Sequence, residues 1–267
     1  ARSGSAGDLL AKRRGGSAEF QDHRPYTPGD DLRRVDWLAY ARTGEPVIKL
    51  FRTEEDVVMR ILVDTSVSMN HASPSKLEVA RRVAAALGYM ALAGSERAQI
   101  FAASDNLRSA SRPARGRGGL AAILKSLDAL EASGPTDLAK AIDTLLARSV
   151  RPGMVVVVSD FFDAGPLTSA LGRARSAGND LALVQVVSPD EVQPTYEGDW
   201  TLEDAETGAT VDLSMDAAVL EAYMLRFTGL CEELRAFSRK HGATYVRIRT
   251  DEDLEPAVRR FVGRAVD

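Results

Sequence analysis

Val57-Val58-Met59-Arg60-Ile61-Leu62-Val63 runs straight into Asp64-Thr65-Ser66-Val67-Ser68, and this stretch decides how the chain reads. The first seven residues are short, β-branched and aliphatic, the composition of a buried strand. Asp64 then stands at the strand's carboxyl end, where open α/β sheets place their ligands. Ser66 follows two residues later and Ser68 two after that. A carboxylate and two hydroxyls in so short a loop are hard oxygen donors of low total charge. Such donors suit Mg²⁺ or Mn²⁺, which keep some of their water and accept few carboxylates.

Two more elements lie downstream. Gly134-Pro135-Thr136-Asp137-Leu138 opens a helical pattern and puts Thr136 at its mouth. Met154-Val155-Val156-Val157-Val158-Ser159-Asp160 is a second buried strand that ends in a carboxylate. The D-x-S-x-S loop, the Thr in a later loop and the Asp after a later strand together resemble the metal-ion-dependent adhesion site of von Willebrand factor A domains. That resemblance implies one Mg²⁺ or Mn²⁺ ion bound directly by Ser66, Ser68 and Thr136. Asp64 and Asp160 would act mainly through bound waters. One coordination position would stay open for a partner's carboxylate. Read singly, each of the five residues is better read as a helix cap or a turn residue; the metal reading comes from their arrangement. Asp163, three residues past Asp160, reads first as a solvated residue and second as a candidate for the rim of such a site.

The rest of the chain alternates strand and helix patterns. Helical spacing covers Leu77–Leu92, Leu120–Leu130, Leu138–Val150, Leu167–Ala177 and Leu254–Val266, and short apolar runs mark strands at 98–103, 181–187 and 245–248. Leu107 to Ala110 reads as a hairpin return. In 215–241 the residues Val219, Tyr223, Phe227, Leu230, Cys231, Leu234 and Phe237 share a face, with Gly242 as the stop. This order predicts an α/β fold, a mostly parallel sheet with helices on both faces. Trp200–Asp204 and Ala209–Leu213, around a turn with Thr207-Gly208, read as a small inserted β-hairpin within about 189–214. Residues 1–18 are Gly, Ser, Ala and basic, and form a lead-in with Lys12-Arg13-Arg14. The expected organisation is an N-terminal extension, 1–50, packed on a main domain, 51–267.

The segment Arg24-Pro25-Tyr26-Thr27-Pro28-Gly29-Asp30-Asp31-Leu32-Arg33-Arg34-Val35-Asp36-Trp37, with Ser17-Ala18-Glu19-Phe20 and Ala41-Arg42-Thr43-Gly44, narrows the match. It resembles the signature of a bacterial family classed as "domain of unknown function 58", in which it precedes a von Willebrand A-like (Rossmann-like) domain. The family resemblance implies a non-enzymatic adaptor or scaffold that works with a MoxR-type AAA+ ATPase. Within the segment, Asp30, Asp31 and Asp36 alternate with Arg24, Arg33, Arg34 and Arg42. That alternation suggests an ion-pair clasp tying the segment to the domain, with Tyr26 and Trp37 as anchors. Phe20, Tyr26, Trp37 and Tyr40 would need burial there. A partner surface is the alternative.

Composition bounds the remaining functions. The 267 residues are 45% hydrophobic, enough for a full core. A net charge of −4 and a pI near 5.6 argue against nucleic-acid binding. The stretch Arg108, Arg112, Arg115, Arg117 therefore reads as a solvated loop, and after that as a face for an acidic partner. No apolar run has membrane-spanning length, no secretory signal pattern opens the sequence, and the single Cys231 fits a reducing compartment, so the expected location is cytoplasmic. His23, His71 and His241 lack metal-ligand spacing. The competing enzyme reading is a phosphohydrolase using Asp64 as nucleophile. Ser66 stands where such a site needs its second carboxylate.

Overall fold

The computed structural model describes residues 19–52, 57–149, 151–162, 165–204 and 208–264. The lead-in 1–18, Asp163 and the turn residue Thr207 lie outside them, as does the burial of Phe20.

The expected alternation folds as a seven-stranded sheet in the order β11-β8-β7-β3-β4-β5, with β6 also pairing β4. The strands are β3 (Val58–Asp64), β4 (Arg97–Ala103), β5 (Leu107–Ser109), β6 (Ala114–Arg115), β7 (Met154–Ser159), β8 (Asp180–Val187) and β11 (Thr244–Arg249). β11, β8, β7, β3 and β4 run parallel; β5 and β6 are antiparallel to β4. The chain steps from β3 to β4 in one direction and later returns to β7 on the other side of β3. The order therefore reverses between β3 and β7, and a crevice forms at their carboxyl ends.

Strand parity explains the two cores. Met59, Ile61 and Val63 of β3 face the same side as Val156 and Val158 of β7 and Ala182, Val184 and Val186 of β8. That side is covered by α2 (Lys76–Ala93), α3 (Leu120–Asp128) and α8 (Leu254–Arg264). Leu62, Val155, Val157, Leu181 and Leu183 face the other side, under α4 (Leu138–Arg148), α5 (Gly165–Ser176) and α7 (Ala217–His241). Because side chains alternate with period two, the central strands β3, β7 and β8 of this double-covered sheet are apolar on both faces along most of their length. α7 stops at Gly242, whose φ of 62° is the left-handed conformation glycine adopts without steric cost. Cys231 is buried on its inner face, as its position in the apolar stripe implied.

Between β8 and α7 the chain makes a short helix, α6 (Pro189–Val192), and the expected hairpin of β9 (Gly198–Glu203) and β10 (Thr210–Met215).

The N-terminal segment is more regular than its sequence suggested. β1 (Glu19–Pro25) pairs antiparallel with β2 (Val47–Arg52), and α1 (Trp37–Thr43) sits between them. Two of its ion pairs close within the segment. Arg24 donates to both oxygens of Asp30 at 2.6 Å, and His23 meets Asp36 at 2.9 Å. Asp36 also caps α1 through the amides of Leu38 and Ala39. Trp37 is 60% exposed, so it is not the buried anchor its aromatic body suggested, and Tyr40 is 44% exposed. Tyr26 is half-buried. Among the described side chains of the segment, the buried apolar pair is instead Val35 and Ile48, which form a β-bridge.

Candidate metal-binding site at the sheet's switch point

The register Val63↔Val158 makes Asp64 the lateral neighbour of Ser159, on the same face of the sheet. Ser159 Oγ donates to Asp64 Oδ2 at 2.5 Å, and the Ser66 amide donates to Oδ1 at 2.9 Å. Asp64 is fully buried, with both oxygens held by donors. Burial, and after it the nearby Asp160, push its carboxyl up to about 6.

Ser66 Oγ and Ser68 Oγ lie 3.0 Å apart, and Ser68 Oγ donates to Asp160 Oδ2 at 3.3 Å. Asp160 follows β7 directly. Its Oδ1 accepts the Phe162 amide at 3.2 Å, and its backbone carbonyl accepts Gln185 Nε2 at 3.0 Å. The next residue, Phe161, is buried at φ 60° and donates its amide to Ser159 Oγ at 3.0 Å. A bulky residue in the left-handed region is strained, and such strain collects at sites the surrounding structure over-determines.

The Thr136 loop is stitched to the Asp64 loop by backbone bonds. The Val67 amide donates to Gly134 O at 3.0 Å, and the Ser133 amide donates to Thr65 O at 2.7 Å. Gly134 takes φ 75° at this contact. Thr136 is half-buried there, and Asp137 caps α4 through the Lys140 amide. Four of the five sequence-derived residues, Asp64, Ser66, Ser68 and Asp160, thus form one hydrogen-bonded cluster through Ser159 and the backbone. The loop of the fifth is fastened to it.

Four participants escaped the sequence reading. Ser159 ended a strand and carried no signal of its own. Gln185 is the lone polar residue in Leu181–Val187, the one visible clue to a buried role. It is fully buried, and its Oε1 accepts Tyr245 Oη at 2.6 Å. Lys76 is the first residue of α2, after the N-cap Ser75. Its Nζ donates to Asp160 Oδ2 at 2.6 Å and to Glu191 Oε1 at 2.7 Å, at 2% exposure. Burial opposes its charge, but Asp160 and then Glu191 outweigh that and raise its pKa. Glu191 belongs to a capping box with Ser188 at the start of α6. That S-x-x-E spacing was legible in the sequence; its link to Lys76, 115 residues away, was not.

Among the described residues, no group of three His, Cys, Asp or Glu side chains is placed to hold a metal ion. A site here would rest on hydroxyls, as the sequence pattern has it. The Arg108, Arg112, Arg115 and Arg117 side chains are exposed along the β4 edge. No helix among the described residues is long and apolar enough to cross a membrane.

A family model described as "Protein of unknown function DUF58" matches residues 22–228, and the chain belongs to that family. Uncharacterized protein Rv1480 of Mycobacterium tuberculosis is 29% identical over 263 residues, covering 96% of this chain and 82% of that protein. Uncharacterized protein MAV169 of Mycobacterium avium is 34% identical over 128 residues, 47% of this chain and 74% of that protein. Among solved structures, the conserved hypothetical protein BatB of Bacteroides thetaiotaomicron superposes with a TM-score of 0.52 at 16% identity, covering 79% of this chain and 98% of that one. At that identity the likeness is one of fold. The fold is von Willebrand A-like: a mostly parallel central sheet between two helical layers.

Proposed function

We propose that this DUF58 chain is a non-catalytic, divalent-cation-dependent protein-binding module. Ser66, Ser68 and Thr136 would supply hydroxyl oxygens to one Mg²⁺ or Mn²⁺, and Asp64 and Asp160 would orient its waters. The ion would leave one position for an acidic side chain of a protein partner, for which the family resemblance points to a MoxR-type AAA+ ATPase. The observation that carries this reading is the charge of the cluster. The buried Asp64 and Asp160 and the half-buried Glu191 bring three formal negative charges to the site, and the buried Lys76 returns one. The remaining two match one divalent ion. Buried carboxylates without a counter-charge are costly, and the raised pKa of Asp64 is how that cost registers in this chain.

A phosphohydrolase using Asp64 has less support. Such a site needs a second carboxylate two residues after the first, and Ser66 stands there; Asp64 itself is fully buried.

The test is a binding titration between this chain and the MoxR-type ATPase of the same genome, in Mg²⁺ and in chelator. Binding that needs Mg²⁺ and is lost in Asp64→Ala and Thr136→Ala supports the reading. Equal binding in chelator removes the ion as the bridge, and the Arg24–Arg42 segment then becomes the better surface.

A further inference from the structure

The Lys76 ammonium holds the same carboxylate oxygen that faces the serine hydroxyls. Asp160 Oδ1 is turned to the Phe162 amide, so Oδ2 is the oxygen on the Ser68 side. Lys76 Nζ sits 2.6 Å from that Oδ2. An ion bound by the Ser68 hydroxyl, at the roughly 2.1 Å of a Mg²⁺–oxygen bond, would need Oδ2 to accept from its water, and Lys76 competes for that same oxygen. We propose that Lys76 is an intramolecular competitor of the divalent ion. It satisfies Asp160 while the ion is away, yields Oδ2 when the ion enters, and stays paired with Glu191. This rests on the metal reading above and adds to it the residue that sets the ion's affinity.

Three observations support the exchange. A lysine at the first position of a helix works against the helix dipole, so the needs of α2 do not explain its place. Its aliphatic stem is long and flexible, and its head is already shared between two carboxylates on different elements. Leaving Asp160 therefore does not strand a buried charge, which would be strongly unfavourable. The Phe162 ring, 5.2 Å from Nζ, adds a cation–π contact that tolerates a small shift of the ammonium.

The experiment is a calorimetric Mn²⁺ titration of the wild-type chain and of the double variant K76M/E191Q. The double variant loses one positive and one negative charge, so the formal charge of the site is unchanged. Competition predicts at least tenfold tighter Mn²⁺ binding in the double variant. Affinity within twofold of wild type would mean that charge alone matters and would overturn the proposal. If the double variant does not fold, a crystal of the wild-type protein with Mn²⁺, placed by anomalous scattering, decides instead. Nζ displaced from Asp160 and retained by Glu191 supports exchange; Nζ still bonded to Asp160 Oδ2 beside the ion refutes it. Absence of Mn²⁺ from both wild type and variant would bring down the metal reading, and this inference with it.

Discussion

Ser159 donates its hydroxyl to Asp64 at 2.5 Å across the junction of β7 and β3. The two strands on either side of the switch point are therefore locked together at the candidate site. The lock follows from sheet register, since Val63 pairs with Val158 and the next residues on each strand share a face. Ser159 also accepts the Phe161 amide, so the same hydroxyl holds the strained turn that aims Asp160.

Replacing Ser159 by Ala should therefore do more than remove one bond. It leaves a fully buried carboxylate short of a donor, at a cost of about 2 kcal/mol. Urea unfolding in chelator should show that loss. A change below about 0.5 kcal/mol would mean that Asp64 finds another donor.

Mg²⁺ should bind at one site and stabilise the fold. At a hundredfold excess over its dissociation constant the gain is about 2.7 kcal/mol, visible as a higher melting temperature that chelator reverses. Asp64→Ala should weaken the binding strongly. Undiminished binding in that variant would place the metal elsewhere.

The raised pKa of Asp64 sets a pH dependence with a definite sign. Its ordinary value in an unfolded chain is about 3.9, and in the fold it is pushed up to about 6. The group is more easily ionised when unfolded. In metal-free protein its contribution is therefore harmless below about pH 4, becomes unfavourable as pH rises toward about 6, and is constant above that. The full loss is on the order of 3 kcal/mol at most. Denaturant unfolding in chelator at stepped pH should show this slope, and Asp64→Asn should remove it. Mg²⁺ affinity should run the other way, rising through about pH 6, because the proton and the ion compete.

The N-terminal segment should separate its buried from its exposed apolar residues. Ile48→Ala should cost about 2 kcal/mol or more through the cavity it leaves. Trp37→Ala and Leu38→Ala, at exposed positions, should stay within about 0.5 kcal/mol. Deleting residues 1–45 should lower the melting temperature if the segment docks on the main domain. An unchanged melting curve would show a tail that stability does not need.

Most of the element order was legible because strand and helix patterns are local. Val57–Val63, Met154–Ser159 and Leu181–Val187 are apolar without interruption or nearly so, which is what a sheet covered on both faces requires. The segment 19–50 was harder to read. Its strands β1 and β2 pair across an intervening helix and carry charges throughout, so neither period stands out. Trp37 and Tyr40 misled for a related reason: an aromatic residue reports that it can be buried, and only the packing says whether it is.

The sequence alone determined the loop Asp64-Thr65-Ser66-Val67-Ser68 and the carboxylate after the second apolar strand. Both are runs of adjacent residues whose place at a strand end follows from their neighbours. Tertiary structure alone decided that Ser159 meets Asp64, 95 residues away, and that Lys76 reaches Asp160 and Glu191 across 84 and 115 residues. Those contacts depend on strand order, on register and on where α2 and α6 begin over the sheet. None of these leaves a periodic trace in the chain, because a lysine at a helix start and a glutamate in a capping box look the same whether or not they converge on one carboxylate.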